Sequence, residues 1–146
     1  MIKKRTRSCI LFRNGDDRVV LIAETALDYR QAIEQDVPRI VGALTGKRTC
    51  EIVLLYVPLI ERGQGHAVTL LGVLAQILAE DGCCRIELDD MSDRYRNNRN
   101  VYTRVGFQYR SHCGPEMAAS RRRVVQSCKR IIGSTRVTLQ VTASLS

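Results

Sequence analysis

Arg62-Gly63-Gln64-Gly65-His66-Ala67 joins the end of an apolar, strand-like segment to the start of a helix-like segment. Glycine readily adopts the positive φ angles of a sharp turn, and this junction contains two glycines. A turn of that kind at the start of a helix leaves several backbone N–H groups pointing at one spot, an arrangement that suits a diphosphate. We therefore interpret the loop as the phosphate site of a cofactor.

The segments on either side of this loop predict a strand and a helix. Glu51–Val57 is almost entirely apolar and is followed by Pro58, which is typical of a central strand covered on both faces. From Gly65 to Glu80 the apolar residues recur every three or four positions, and Asp81-Gly82 ends the run. The loop is therefore predicted to connect a central strand to a helix that packs on the sheet.

The rest of the chain alternates between strand and helix patterns. Two apolar runs flank the turn cluster Asn14-Gly15-Asp16-Asp17 and predict a hairpin. The predicted elements are strands Arg7–Arg13 and Arg18–Ala23, a helix Ala26–Gln35, a short helix from Pro38 to near Gly46, strand Arg85–Leu88, helix Tyr95–Val105, strand Phe107–Arg110, helix Ser120–Ile132 and strand Arg136–Ala143. Such alternation favours an α/β domain whose ligand lies at the carboxyl ends of the strands.

Length and composition predict one intracellular domain. The chain has 146 residues, of which 45% are hydrophobic, so residues 1–146 are expected to form one domain. Six scattered cysteines lack zinc-site spacing, and we expect reduced thiols and no metal. The first apolar run is too short for a secretory signal, and none reaches the roughly 20 residues of a spanning helix. We expect a cytoplasmic or nuclear protein without a membrane partner.

The net charge of +8 is unevenly distributed. Residues 1–7, a basic N-terminal tip, carry four cations, and residues 94–136 carry eleven against one acid, Glu116. The sharpest patch is Arg121-Arg122-Arg123, in the basic helix and closing strand of residues 120–146. This charge predicts either attraction of an anionic cofactor or a surface for nucleic acid or an acidic protein. The small number of aromatic residues argues against single-strand binding.

A second motif follows the loop after one helix and one strand. It is Tyr102-Thr103-Arg104-Val105-Gly106-Phe107, with a tyrosine four residues before Gly-Phe. With a strand ending at Val57 and the R-x-x-G-x-A loop, it resembles the GNAT superfamily of acyl-CoA-dependent N-acyltransferases over roughly residues 49–118. The string Glu51-Ile52-Val53 is similar to the histone-acetyltransferase-like branch. The resemblance implies a mixed α/β (α+β) GNAT-like fold with a central mixed sheet flanked by helices and strands splayed at the CoA site.

The resemblance also implies a reaction and a donor site. The expected reaction transfers an acetyl group from acetyl-CoA to a primary amine of a protein or small molecule by direct nucleophilic attack. Backbone N–H groups of the loop would hold the CoA diphosphate, and main-chain groups at the end of the strand would contact the pantetheine arm and the thioester carbonyl. The implied cofactor-binding residues are Leu55, Tyr56, Val57, Arg62, Gly63, Gln64, Gly65, His66, Ala67, Asn97 and Asn98.

Two catalytic residues follow from the same resemblance. Tyr102 would be the general acid for the departing thiolate, since a tyrosine with a pKa near ~10 stays protonated. Glu51 would be the general base that deprotonates the amine, and strict alternation along the strand would place it on the face that carries Leu55. The alternative for Glu51 is a solvated carboxylate, in which case Glu87, Asp89 or Asp90 would act as the base through water.

Departures from the family pattern leave other hypotheses open. Many members have asparagine seven residues and alanine four residues before the tyrosine, whereas this chain has Tyr95 and Asn98 there. Asn97 or Asn98 is the expected replacement contact to CoA. The competing hypothesis is a non-catalytic binding protein of GNAT fold whose Arg-rich C-terminal third binds nucleic acid or an acidic protein. A homodimer is a further partner hypothesis, and the acceptor is left open.

Overall fold

A mixed sheet of eight strands organises the described part of the chain in the computed structural model. The structure describes residues 6–13, 19–25, 36–92, 94–97 and 100–141. The strands are β1 (Thr6–Arg13), β2 (Val19–Glu24), β3 (Arg39–Thr45), β4 (Thr49–Tyr56), β5 (Arg85–Asp89), β6 (Gln108–Tyr109), β7 (Glu116–Ser120) and β8 (Arg136–Val141). Their order is β6-β7-β5-β4-β3-β2-β1-β8, with β4–β5 and β1–β8 parallel and the other pairs antiparallel. The predicted α/β class with a central mixed sheet is confirmed.

Two longer helices cover one face of this sheet. The described helices are α1 (His66–Ile77), the short α2 (Val101–Arg104) and α3 (Arg121–Ile132), with a 3₁₀ turn at Leu59–Glu61. Helices α1 and α3 pack closely against each other. At Gly72 of α1 there is no room for a side chain, since a Cβ atom there would lie only 3.0 Å from Cβ of Cys128 in α3. Their apolar side chains form one core with inward residues of the sheet, which fixes α1 and the loop before it against the strands. In the described ranges, no helix combines the length and the apolar character needed to cross a membrane.

Strands β4 and β5 separate halfway along β4. Their pairing runs from Thr49 opposite Arg85 to Ile52 opposite Leu88 and goes no further, although β4 continues to Tyr56. On its other side β4 contains a bulge, because Val41 pairs with Leu54 and Gly42 with Ile52, which leaves Val53 as the extra residue. A bulge bends and twists the strand that contains it. The carboxyl end of β4 therefore turns away from β5 and opens a gap at that edge.

The predicted short helix from Pro38 to near Gly46 is wrong. The segment Arg39–Thr45 forms β3, which pairs with β2 on one side and β4 on the other. The β-branched residues Ile40 and Val41 suit such a strand, and pairing on both sides outweighs local helical composition. Strand β7 was not predicted, and helix Tyr95–Val105 is reduced to α2, because Arg96 has a φ of 56° that a helix does not accept.

The other described elements agree with prediction within a few residues, apart from the burial of β4. Val53 is 61% exposed and Leu54 is 41% exposed, so the expectation that this strand is covered on both faces is wrong. The physical reason is the loss of β5 as a neighbour beyond Ile52. All six cysteines are free thiols. The predicted turn at residues 14–17 and helix at 26–35 lie outside the described residues.

Candidate active site

A cleft of about 720 Å³ lies where β4 and β5 diverge. Its walls are the second half of β4, the loop before α1, the residues after β5, and helix α2. A cavity of several hundred cubic ångströms is the size that holds a cofactor or a drug-sized ligand. The gap in the sheet is therefore the candidate site.

The glycine loop forms one end of this cleft. Gly63 and Gly65 have φ angles of +82° and +86°, which side chains other than glycine rarely adopt. Gly65 is the N-cap of α1 without a side-chain cap, and its carbonyl accepts from both the N–H and the hydroxyl of Thr69 at 3.1 and 3.0 Å. Within the described residues, the N–H groups of residues 63–68 donate to no other backbone group. These amides, in the loop and the first turn of α1, have no backbone acceptor among the residues described, so they can bind an anion such as a diphosphate.

Eight of the predicted site residues line the cleft. These are Leu55, Val57, Arg62, Gly63, Gly65, His66, Ala67 and Tyr102. Four other described ones do not line it, namely Glu51, Tyr56, Gln64 and Asn97. The hydroxyl of Tyr56 instead donates to Asp36 at 2.8 Å, and the carbonyl of Gln64 accepts from Arg7. Asn98 lies outside the described residues.

The predicted alternation along β4 is wrong beyond Ile52. The extra residue at Val53 shifts the alternation by one, so Leu55 packs against the core that contains Cys50 and Ile52. Glu51 points to the opposite face, where it is exposed and lies directly opposite Glu87 of β5. Glu51 and Leu55 therefore do not share a face, contrary to the sequence expectation.

The three reserve carboxylates have different surroundings. Glu87 accepts from Arg85 at 2.8 Å and lies 3.9 Å from a guanidinium nitrogen of Arg110. Asp89 is exposed and lines the cleft. Asp90 is 2% exposed and already accepts several hydrogen bonds. Of these three, Asp89 is the one with a free path to a ligand in the cleft.

Asp90 connects three segments around α2. Its carboxylate accepts from the backbone N–H and hydroxyl of Ser92 at 3.0 and 2.5 Å, from the Asn100 side chain at 2.6 Å and from the Tyr109 hydroxyl at 2.6 Å. Burial alone would raise the pKa of Asp90, but these hydrogen bonds outweigh it, and the pKa lies below its usual 3.8. The carboxylate is therefore ionised and occupied by internal donors, which does not suit a general base.

Tyr102 is held in the cleft wall by its own helix cap. The Asn100 side chain accepts from the Tyr102 N–H at 2.8 Å and donates to Asp90, so the cap of α2 is fixed to the end of β5. The Tyr102 ring packs edge-on against Phe107 at a centroid distance of 6.1 Å. Burial, with a smaller contribution from the charge of Asp90, raises the pKa of Tyr102 to about 12. Its hydroxyl therefore stays protonated at neutral pH.

Sequence reasoning missed several residues of this site. Asn100 precedes a helix, which is a recognisable N-cap signal, but the longer helix predicted across it concealed that role. Met91, Arg94 and Ile131 also line the cleft, and no local pattern identifies them. They reach the site only through the path of the chain after β5 and the packing of α3.

His66 and Arg7 form a buried cluster with Glu24 behind the loop. The Glu24 carboxylate lies 2.9 Å from Nη1 of Arg7 and 2.7 Å from Nδ1 of His66, and the three side chains are 8%, 16% and 14% exposed. Because a carboxylate only accepts, Nδ1 carries the proton of this bond. The other ring nitrogen of His66 is buried and has no hydrogen-bond partner among the residues described. Arg7, which the sequence placed both in the basic tip and at the start of the first strand, lies in β1 and contacts the loop through the Gln64 carbonyl.

Solved structures of acyltransferases share this fold. A candidate acyl-CoA N-acyltransferase from Klebsiella pneumoniae has 20% sequence identity and a TM-score of 0.57, over 73% of this chain and 74% of that chain. PaiA N-acetyltransferase from Thermoplasma acidophilum, in complex with coenzyme A, has 15% sequence identity and a TM-score of 0.57. The match covers 73% of this chain and 63% of that chain. IAA acetyltransferase from Bacillus cereus has 15% sequence identity and a TM-score of 0.55, and the match covers 70% of this chain and 78% of that chain. At these identities the likeness shows the fold alone, and it confirms the expected GNAT fold.

Sequence comparison identifies the family directly. No curated protein sequence matches the chain. The family model described as the acetyltransferase (GNAT) family matches residues 7–107, a range that includes the loop before α1, both diverging strands and Tyr102. Since this match covers well over half of the 146 residues, the protein belongs to the acetyltransferase (GNAT) family.

Proposed function

We propose that the protein is an N-acetyltransferase that transfers an acetyl group from acetyl-CoA to a primary amine of a small molecule or a protein. Acyl transfer from acyl-CoA is the reaction expected of the family. The observation that best supports the proposal is the cleft between β4 and β5. It has Tyr102 in its wall and, at one end, loop amides without a backbone acceptor in the described part of the chain. These two features suit the diphosphate and the leaving thiolate of one extended donor molecule.

The donor would lie along the separated edge of β4. Beyond Ile52 the backbone of β4 has no β5 partner, so its polar groups on that side are available to the pantetheine arm. The loop amides would bind the diphosphate, and the side chain of Arg62, which lines the cleft and donates to the carbonyl of Val57 at 3.2 Å, would add positive charge nearby. Main-chain groups of Leu55–Val57 would orient the thioester carbonyl and stabilise charge on its oxygen.

The transfer itself needs one base and one acid. A neutral amine attacks the thioester carbonyl, the C–S bond breaks, and the thiolate leaves with a proton from Tyr102. Glu51 is the base implied by the family resemblance, and from its exposed face it would act through water. Asp89 is the competing base because it lines the cleft. Acid or base assistance of this kind is worth about 10²- to 10⁴-fold in rate.

The acceptor would enter from the exposed apolar side of the cleft. Val53, Leu54 and Met91 line the cleft and are 61%, 41% and 83% exposed. In the turn that follows β4, Leu59 and Ile60 are 79% and 89% exposed. Large exposed apolar groups that cluster around a cleft are typical of a binding surface. An amine with an apolar body would therefore be preferred over a fully hydrated one.

A thiol-release assay with acetyl-CoA and a panel of amines tests the proposal. Tyr102→Phe should lower kcat by about 10²- to 10⁴-fold and leave acetyl-CoA binding within about twofold, because only the proton donor is removed. The matched control is Tyr95→Phe, since the Tyr95 hydroxyl bonds the Gly114 carbonyl at 2.9 Å outside the cleft. If no amine released CoA from acetyl-CoA, the proposed reaction would be wrong. If kcat were unchanged in Tyr102→Phe, Tyr102 would not be the general acid.

A non-catalytic binding role is the second proposal, and the basic surface of α3 supports it. Arg122, Arg123, Lys129 and Arg130 are exposed on this helix, whereas Arg121 donates to the Ala75 carbonyl of α1 at 3.1 Å. A partner held by phosphate contacts would dissociate steeply as salt rises. Salt-sensitive binding of DNA or RNA by a protein without acetyl-CoA turnover would favour this role.

A further inference from the structure

Arg7 of β1 reaches the carbonyl side of the glycine loop. One of its terminal nitrogens donates to the Gln64 carbonyl, and the same nitrogen lies 3.2 Å from the position that a Cβ atom at Gly65 would occupy. In sequence the two contacts span 57 and 58 residues, so they are tertiary contacts rather than features of a local turn.

This contact sets the direction of one loop amide. The carbonyl of Gln64 and the N–H of Gly65 belong to one peptide unit, and no cis peptide bond occurs in the described residues. In a trans peptide the C=O and N–H point in opposite directions. Holding the carbonyl against Arg7 therefore points the Gly65 N–H away from β1, and Gly65 lines the cleft. A hydrogen bond to the carbonyl also polarises the peptide and makes that N–H a better donor.

Glu24 and His66 hold Arg7 in this position. Glu24 bridges Nη1 of Arg7 at 2.9 Å and Nδ1 of His66 at 2.7 Å, and the carboxylate side chain is 8% exposed. The negative charge of Glu24 offsets the positive charge of Arg7, so this pair adds little net charge behind the loop. Its contribution is geometric: a strand side chain, a carboxylate and the first residue of α1 fix one another.

A second arginine of the same strand provides an internal comparison. Arg13, six positions along β1, makes a bidentate pair with Asp81 at 2.9 and 3.0 Å. Asp81 follows the C-terminal end of α1, whereas Arg7 reaches the loop before its N-terminal end. Arg13 and Asp81 are 20% and 17% exposed, similar to the 16% and 8% of Arg7 and Glu24. Arg7 contacts the Gln64 carbonyl of the loop, whereas the partner of Arg13 lies beyond the opposite end of α1.

We propose that Arg7, held by Glu24 and His66, is a positioning residue that pre-orients the Gly65 amide of the loop for the diphosphate of the acyl donor. The inference rests on the proposed function, because it assigns that diphosphate to the loop. Pre-orientation raises affinity by reducing the cost of ordering the loop when the ligand binds. The effect should therefore appear in donor binding and not in the chemical step.

The test compares two donors in the full-length protein. Acetyl-CoA contains the diphosphate and acetyl-pantetheine lacks it, while both present the same thioester. Arg7→Met should raise KM for acetyl-CoA and Kd for CoA by about ten- to 150-fold, the loss expected for one hydrogen bond from a charged group, with kcat within about twofold. KM for acetyl-pantetheine should not change. Arg13→Met is the matched control and should change neither KM.

A general loss of structure in Arg7→Met would weaken the binding of both donors, not of acetyl-CoA alone. If Arg7→Met raised KM equally for both donors, or left KM for acetyl-CoA unchanged, the positioning role would be overturned. Because Arg7→Met leaves Glu24 buried without its cation, the double variant Arg7→Met/Glu24→Gln is measured in parallel, and it should show the same selective loss. Arg7→Lys should recover only part of the affinity, since an ammonium group cannot contact both Glu24 and the Gln64 carbonyl with the same fork.

The two proposals fail in different ways. A wild-type protein that binds CoA without turning over acetyl-CoA would refute the proposed function, and weaker CoA binding by Arg7→Met with pantetheine binding unchanged would still support the role of Arg7. A wild-type protein that binds neither CoA nor acetyl-CoA would overturn both.

Discussion

Replacement of Asp90 by alanine should destabilise the protein more than loss of any exposed carboxylate. Asp90 accepts from Asn100 and Tyr109 at 2.6 Å each, and the Asn100 side chain is almost completely buried. Hydrogen bonds to a charged group contribute about 1.5 to 3 kcal/mol each, so loss of these two should cost roughly 3 to 6 kcal/mol. The bonds from Ser92 are not counted, because Ser92 is exposed and can bond water instead.

That loss is a large part of the stability of a domain this size. Folded domains are stable by about 5 to 15 kcal/mol, and one kcal/mol moves the Tm of about 150 residues by roughly 2 to 4 °C. Asp90→Ala should therefore lower Tm by roughly 6 to 24 °C. Urea unfolding at pH 7 measures the free energy directly, with Asp89→Ala as the control. Asp89 is the exposed neighbour, and its loss should change the free energy of unfolding by no more than about 0.5 kcal/mol.

The pH dependence of the same difference tests the cause. The folded-state pKa of Asp90 lies below the usual 3.8, so the unfolded chain binds this proton more tightly than the folded protein. The stabilisation is complete above the unfolded pKa and is lost as pH falls through the folded pKa. The gap between wild type and Asp90→Ala should thus be full at pH 7 and shrink below about pH 4. A gap under about 1 kcal/mol at pH 7, or one that does not shrink in acid, would refute this reasoning.

Three further predictions concern the cleft. Gly65→Ala should lose at least about 1 kcal/mol of stability and weaken CoA binding, because φ is +86° and the new Cβ would lie 3.2 Å from Arg7; unchanged Tm and Kd would contradict this. With its pKa raised to about 12, Tyr102 should cause no decline in kcat below about pH 11, and a decline near pH 9 that disappears in Tyr102→Phe would show a lower pKa. Of Glu51→Gln and Asp89→Asn, the one that removes the base should flatten the acidic limb of the kcat/KM profile, and two unchanged profiles would exclude both.

Local patterns in the sequence were sufficient to predict the strand–loop–helix unit. The run of apolar residues before Pro58, the two glycines and the helical periodicity after Gly65 are each contained in a short window, and the structure has β4, the loop and α1 there. The same holds for α3, whose start at Ser120 is a side-chain cap that accepts from the Arg123 N–H at 3.2 Å.

The parts that sequence reasoning missed depend on distant contacts. β3 forms because strands on both sides pair with it, and no short window contains those neighbours. The bulge at Val53 depends on the register of β3, and it reverses the face of every later residue of β4. The contacts of Arg7 with the loop and of Asp90 with Tyr109 join segments that the sequence separates by 57 and 19 residues.

Nitrogen-15 NMR of the loop amides during titration with CoA tests the central claim most directly. The account predicts that Gly63 and Gly65, whose N–H groups have no backbone acceptor in the described residues, shift strongly as the diphosphate becomes their acceptor. Acetyl-pantetheine should move residues of β4 but leave the two glycine signals in place. Tight CoA binding with both glycine signals unmoved would contradict the account.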